Sequence, residues 1–201
     1  MTTLITFILL FIFAYLLGST PTGYLVGKAV KGIDIRKIGS GSTSATNTSR
    51  ALGWGWGTFV AAFDFLKGVV PALLALNYLT NQWQIITVAL LPVIGHIFPV
   101  WLKFKGGRGA GTFYGATVAL LGFQFFLPPF LIWVITLAVS RLMSLANLLL
   151  PWNLSILALV LFLHGIIPLN YVVFCLVGTI LITIALRDNL KRLMKGTESR
   201  I

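Results

Sequence analysis

Long apolar runs alternate with short polar turns along the whole chain, and the runs reach membrane-crossing length. Taking about 20 predominantly apolar residues as one span, the pattern predicts seven helical segments at 3–27, 53–76, 84–102, 110–123, 125–140, 145–163 and 168–186. The fourth is short and contains glycine, which suits a helix that starts at mid-depth behind a re-entrant loop lining a cavity. Pro128-Pro129 is expected to interrupt the fifth. The first run has no basic leader and no small-x-small cleavage site, so it is expected to be a retained span and not a removed signal peptide.

Composition supports this reading. Of 201 residues, 58% are hydrophobic and 9% are charged, whereas a soluble domain carries about 25% charged residues. An integral, all-α membrane bundle is expected, forming one domain over residues 1–201, and the length of the runs argues against a barrel. Fourteen of the fifteen Lys and Arg residues fall in alternate loops and the C-terminal tail, and the loops near 77–83, 123–125 and 163–170 hold none. The positive-inside rule then puts the N-terminus outside and the C-terminus in the cytoplasm. The formal net charge of +11 fits anionic lipid headgroups and an anionic substrate. Basic and aromatic residues do not interleave on a polar surface, so nucleic acid is not an expected partner. Cys175 is expected to be a packed thiol, and two His with one Cys offer no metal cluster.

The polar turns therefore gather on one face. The most polar stretch, Arg36 to Arg50, holds seven hydroxyl side chains, Gly39, Gly41 and Asn47. Its unpaired backbone groups cannot lie against lipid. Two readings fit the residues alone: a solvated Ser/Thr-rich loop, or an oxyanion pocket in which Ser40, Gly41, Ser42, Thr46 and Asn47 donate to phosphate and Arg50 adds charge beside a helix start. A second stretch places Lys105, Gly106, Gly107 and Arg108 just before a predicted helix, which offers N–H groups and two cations to an anion. The spacing is not that of a nucleotide-binding P-loop. His96 reads either as an interior histidine near a helix end or as a group that polarises substrate. Asp64 and Lys67, three apart in the second span, share a helix face and are expected to form an internal salt bridge. Ser144 can reach the pocket from a cytoplasmic turn. The basic tail, with Asn189 and Arg192, reads as an amphipathic helix on anionic lipid.

These motifs in series resemble a known family. Gly18-Ser19-x-Pro21, Gly39-Ser40-Gly41 followed by Ala45-Thr46-Asn47, Asp64-x-x-Lys67-Gly68, Gly95-His96-x-Phe98-Pro99 and Phe104-Lys105-Gly106-Gly107 are similar to those of the bacterial acyl-phosphate:glycerol-3-phosphate acyltransferases, the PlsY family. The tail from Arg187 to Glu198 is similar too. The resemblance implies a seven-span enzyme of the bacterial inner membrane with its site on the cytoplasmic face. Such an enzyme moves an acyl group from acyl phosphate to the sn-1 hydroxyl of glycerol 3-phosphate, without acyl-CoA, metal or other cofactor. It also implies that Ser40, Thr46, Asn47, Arg50, Lys105, Arg108, Ser144 and Asn189 line the polar pocket. Ser40, Arg50, Arg108 and His96 are the expected catalytic residues. Gly41, Ser42, Thr46, Asn47, Lys105, Gly106, Gly107, Ser144, Asn189 and Arg192 are expected to bind substrate. The chain departs from the family pattern at Ser42-Thr43-Ser44, where Asn-x-Gly is usual, at Arg108 for Lys, at Ala110-Gly111-Thr112, and at Leu186, where a His is usual. A phosphate- or lipid-binding protein of the same fold without turnover, and a transporter, are the alternative readings.

Overall fold

The computed structural model describes residues 2–200. Ten α-helices are formed among them: α1 (Thr2–Ser19), α2 (Thr22–Lys31), α3 (Ala45–Leu52), α4 (Trp54–Tyr78), α5 (Gln82–Ile97), α6 (Ala110–Leu121), α7 (Phe123–Ser140), α8 (Met143–Leu163), α9 (Leu169–Ala185) and α10 (Arg187–Met194). Four of these, α4, α5 with the turn that follows it, α7 and α8, are long and apolar enough to cross a membrane, and two bent pairs, α1–α2 and α9–α10, would bring the number to six. The helix in the predicted segment 110–123 has 12 residues. At about 1.5 Å per residue it is roughly 18 Å long, short of the roughly 30 Å hydrocarbon core.

Three local expectations are corrected. The first run is not one helix, because it breaks at Thr20-Pro21 and turns by 41° into α2. Pro21 has no N–H to continue the ladder. Second, α7 runs unbroken through Pro128 and Pro129. The missing donors fall in its second turn, so the loss stays near the helix start, and the ladder resumes beyond it. Third, Arg50 stands just ahead of the α4 start as expected, but the polar stretch before α4 is not all loop. Arg50 sits in the last turn of α3, a short helix within the polar stretch, capped by Ser44 and closed by Gly53.

The chain divides into two compact units, Met1–Leu120 and Leu121–Ile201. In the first unit α1 packs on α5 and α4, α4 packs on α5, and α3 packs on α4. Their closest approaches use small residues, as membrane helices require. A methyl group on Gly18 would strike the backbone of Pro92, and one on Gly68 would strike the Thr112 carbonyl and the Ala116 amide. Val60, Ala72, Val88, Val93 and Phe113 are fully buried between these helices, while Leu4, Leu9, Leu73 and Trp83 face outward. In the second unit α8 packs on α7 and α9. Thr179 on α9 donates to the Pro151 carbonyl on α8 at 2.8 Å, and its hydroxyl lies 2.8 Å from that of Ser155. Trp133 Nε1 donates to Asn147 Oδ1 at 2.9 Å and ties α7 to α8.

The α4–α6 crossing gives a direct test. Gly68→Ala should destabilise the protein by about 1–3 kcal/mol, the usual cost of overfilling a packed contact, read as a lower thermal unfolding midpoint in detergent. An unchanged midpoint would mean that the two backbones can part freely.

Candidate active site

A buried ion pair holds the first unit's polar centre. Lys67 Nζ donates to Asp64 Oδ1 at 2.8 Å and to the Thr20 carbonyl at 2.6 Å. The Lys67 and Asp64 side chains are 1% and 6% exposed. The Thr22 hydroxyl donates to the same Asp64 oxygen at 3.2 Å, and His96 Nδ1 lies 3.7 Å from it. The broken first helix, α4 and the end of α5 thus meet at one carboxylate. The expected salt bridge is present, but Thr22 and the Thr20 carbonyl carried no sequence signal beyond the nearby proline.

His96 then shapes the second polar stretch. The Gly107 amide donates to the His96 carbonyl at 3.0 Å, and the Gly106 amide donates to that of Ile97 at 3.1 Å. A methyl group on Gly107 would collide with His96 Nε2, and one on Gly106 would collide with the His96 carbonyl and the Pro99 ring. Only glycine lets this strand lie flat on the histidine. Lys103 and Phe104 turn the chain with left-handed φ of 53° and 60°. The turn is closed by the Phe104 amide on the Pro99 carbonyl. Lys105 projects into solvent, and Arg108 is half-buried just ahead of α6. Thr112, in the first turn of α6, is fully buried and its hydroxyl lacks a hydrogen-bond partner.

The serine-rich loop is held by Asn47. This residue is fully buried. Its Nδ2 donates to the carbonyls of Ile35 and Ser42, each at 2.9 Å, and its Oδ1 accepts from the Ser40 amide at 3.0 Å. Gly39 and Gly41 take φ of +57° and +69°, a conformation costly for residues with a side chain. The loop is seated on α2, where a methyl group on Gly23 would strike the Thr43 carbonyl. Ser40 and Thr46 are half-buried, Ser42 is buried, and Arg50 and Gly41 are exposed. Beside the loop, Arg36 grips Asp34 through Nε at 3.0 Å and Nη2 at 2.7 Å and covers the Tyr24 ring at 5.0 Å. The Arg36 hydrogen bond pulls the Asp34 carboxyl down to about 2.

In the second unit, Ser144, Asn189 and Arg192 converge on one acid. Glu198 accepts from Ser144 Oγ at 2.9 Å, from Asn189 Nδ2 at 2.9 Å and from Arg192 Nε at 2.7 Å. The carboxylate can only accept, so the Asn189 nitrogen must face it. That leaves Asn189 Oδ1, a buried atom without a hydrogen-bond partner, open to a donor. The tail is more than a lipid-lying helix, because it returns to clamp these side chains. Glu198 was not a candidate from the sequence; its partners lie up to 54 residues away. Leu186, at the α9–α10 bend, is buried.

Residues 8–196 match the family model described as glycerol-3-phosphate acyltransferase. The chain belongs to the glycerol-3-phosphate acyltransferase family. It is 38% identical over 195 residues to the glycerol-3-phosphate acyltransferase of Prochlorococcus marinus (strain NATL1A), covering 96% of this chain and 98% of the relative. It is 40% identical over 196 residues to that of Rubrobacter xylanophilus, covering 96% and 94%. Among solved structures, it is similar to a crystal structure of PlsY, an integral membrane glycerol 3-phosphate acyltransferase, in its glycerol 3-phosphate form. The TM-score is 0.89 at 38% identity over 97% of this chain and 95% of the other. The lysophosphatidic acid form of the same enzyme gives 0.87. The protein is an integral membrane acyltransferase of phospholipid synthesis, which sets aside turnover-free binding and transport.

The Glu198 clamp titrates. Burial raises its carboxyl, but hydrogen bonds from Asn189, Arg192 and Ser144 outweigh burial and leave it below the usual glutamate value. A depressed folded-state value stabilises the fold above the ordinary carboxylate range, and that contribution is lost as pH falls through the depressed value. Glu198→Gln should therefore lower the unfolding midpoint at pH 7, equivalent to about 1–3 kcal/mol, and the gap to wild type should narrow in acid. A gap that does not change with pH would contradict the clamp.

Proposed function

We propose that the protein transfers a fatty acyl group from acyl phosphate to the sn-1 hydroxyl of glycerol 3-phosphate, giving lysophosphatidic acid and inorganic phosphate. The observation that carries the reading is the likeness in sequence and shape, over 97% of the chain, to an enzyme solved in a glycerol 3-phosphate form. The donor rests on the resemblance to the acyl-phosphate-dependent family. Seven segments cross or enter the bacterial inner membrane, α6 being the short one, with the N-terminus outside and the site opening to the cytoplasm. The whole chain acts as a single catalytic domain.

Acyl phosphate is a mixed anhydride and already activated, so the chemistry needs alignment and charge more than a nucleophilic side chain. The sn-1 oxygen attacks the acyl carbonyl carbon, the new ester bond forms, and the bond to phosphate breaks. The hydroxyl proton passes to a substrate phosphate oxygen. His96 is directed to Asp64 through Nδ1 and backed by Gly107 at Nε2, so its role is to shape the glycine strand. Ser40, Arg50, Lys105 and Arg108 hold phosphate and stabilise the charge that develops on the carbonyl oxygen and the leaving group. Asn47, Gly41, Gly106 and Gly107 keep the two loops in the required form, and Thr46 lines the pocket. Within the second unit, Asn189 Oδ1, beside Ser144 and Arg192, is an acceptor for a hydroxyl donor. Holding both reactants together can supply up to about 7–11 kcal/mol in favourable cases.

Purified protein in a bilayer, given acyl phosphate and glycerol 3-phosphate, should release lysophosphatidic acid and phosphate in equal amounts. Arg108→Ala and Lys105→Ala should each lower kcat/KM by roughly 10- to 100-fold, the range of a lost hydrogen bond to a charged group. Product formed from acyl-CoA but not from acyl phosphate would overturn the donor, and near-normal kinetics in both variants would overturn the phosphate assignment.

A further inference from the structure

The serine-rich loop contains an arrangement that phosphate binding alone does not require. Three hydroxyls stand in line: Ser44 Oγ lies 2.9 Å from Ser42 Oγ, which lies 3.0 Å from Ser40 Oγ. Ser42, the middle member, is 4% exposed. The Asn47 side chain pins the middle and one end of the line, since it holds the Ser42 carbonyl and the Ser40 amide. Ser44 is the N-cap of α3, and its Oγ accepts the Asn47 amide proton at 3.4 Å.

Each hydroxyl has a single proton to place. Ser44 Oγ uses one lone pair on an N–H that cannot accept in return. Among the described residues, the side-chain oxygen beside it that can take its own proton is Ser42 Oγ. Either hydroxyl of each pair can donate, and the sense that matters here runs from Ser44 to Ser42 to Ser40. Ser40 Oγ is then an acceptor on its inner side, and its proton is released outward. A hydroxyl polarised in this way is a stronger donor to an anion, because hydrogen bonds in a chain reinforce one another.

We propose that Ser42 is a positioning residue. It carries the polarity of the α3 N-cap to Ser40 and holds the Ser40 hydroxyl as a donor to a substrate phosphate, without touching substrate itself. The proposal rests on the reading above that Ser40 contacts that phosphate. It replaces the expectation that Ser42 binds phosphate directly.

The test is a double-mutant cycle on the full-length protein in bilayers, with the dissociation constant for glycerol 3-phosphate and the unfolding midpoint as readouts. Ser42→Ala should weaken binding roughly three- to tenfold with the midpoint unchanged. In a Ser40→Ala background the same change should have no further effect. Ser42→Cys, which keeps the size and weakens the donor, is run alongside and should show the same loss of effect when Ser40 is absent. Equal fold-losses in both backgrounds would overturn the proposal, since Ser42 would then act on the ligand or the fold independently of Ser40. No loss from Ser42→Ala in the parent would overturn it as well. If Ser40→Ala alone binds normally, the phosphate assignment of Ser40 fails first and the relay falls with it.

Discussion

The ammonium of Lys67 sits between the Asp64 carboxylate and the Thr20 carbonyl, almost sealed from solvent. Taking two charges out of water costs several kcal/mol per ion, and a buried pair recovers this only with good geometry and further hydrogen bonds. Here the extra bonds come from the place where the first helix breaks. Pro21 interrupts the ladder, the Thr20 carbonyl turns to Lys67, and the Thr22 hydroxyl turns to Asp64. The pair therefore does what two apolar side chains cannot, because it holds a broken helix at a defined angle against α4.

Both polar loops of the first unit inherit that angle. The bend sends α2 under the serine-rich loop, where Gly23 and Gly27 leave room for Thr43 and Ile35. Ile35 is fully buried, and its carbonyl is one of the two held by Asn47. On the other side, the Asp64 oxygen that receives Lys67 also faces His96, and His96 supports the strand that leads to Arg108. A short route of packed contacts runs from the ion pair to each of the two polar loops. The conformations at Gly39, Gly41, Lys103 and Phe104 persist because their surroundings hold them, as expected of a preorganised site.

Much of this was legible in the chain. Apolar runs long enough for lipid can only be helices here, so the helical segments, their order and the buried Asp64–Lys67 pair could be read directly. The clustering of hydroxyls, cations and glycines in a few turns marked the two loops that Asn47 and His96 hold in defined forms. What escaped depends on contacts distant in sequence. Glu198 looks like one more tail charge until the fold returns it to Ser144. Asn47 looks like a surface donor until the fold places its amide inside the loop that it organises. The α3 helix was signalled only by Ser44 ahead of Ala45, a weak mark within a polar run. The uninterrupted α7 shows the reverse error, since prolines that would end a helix in water are tolerated in lipid, where few alternatives exist.

If the Lys67 bridge orders the first unit, removing one charge and removing both should differ. Unfolding midpoints and glycerol 3-phosphate turnover of Lys67→Met and of Asp64→Asn/Lys67→Met, measured side by side, separate the cases. Lys67→Met leaves an uncompensated carboxylate and should lose about 3–5 kcal/mol of stability, with turnover falling too. The double variant should regain most of the stability while turnover stays low, because the Thr20 carbonyl still lacks its donor. A Lys67→Met protein that unfolds and turns over like its parent would contradict the account.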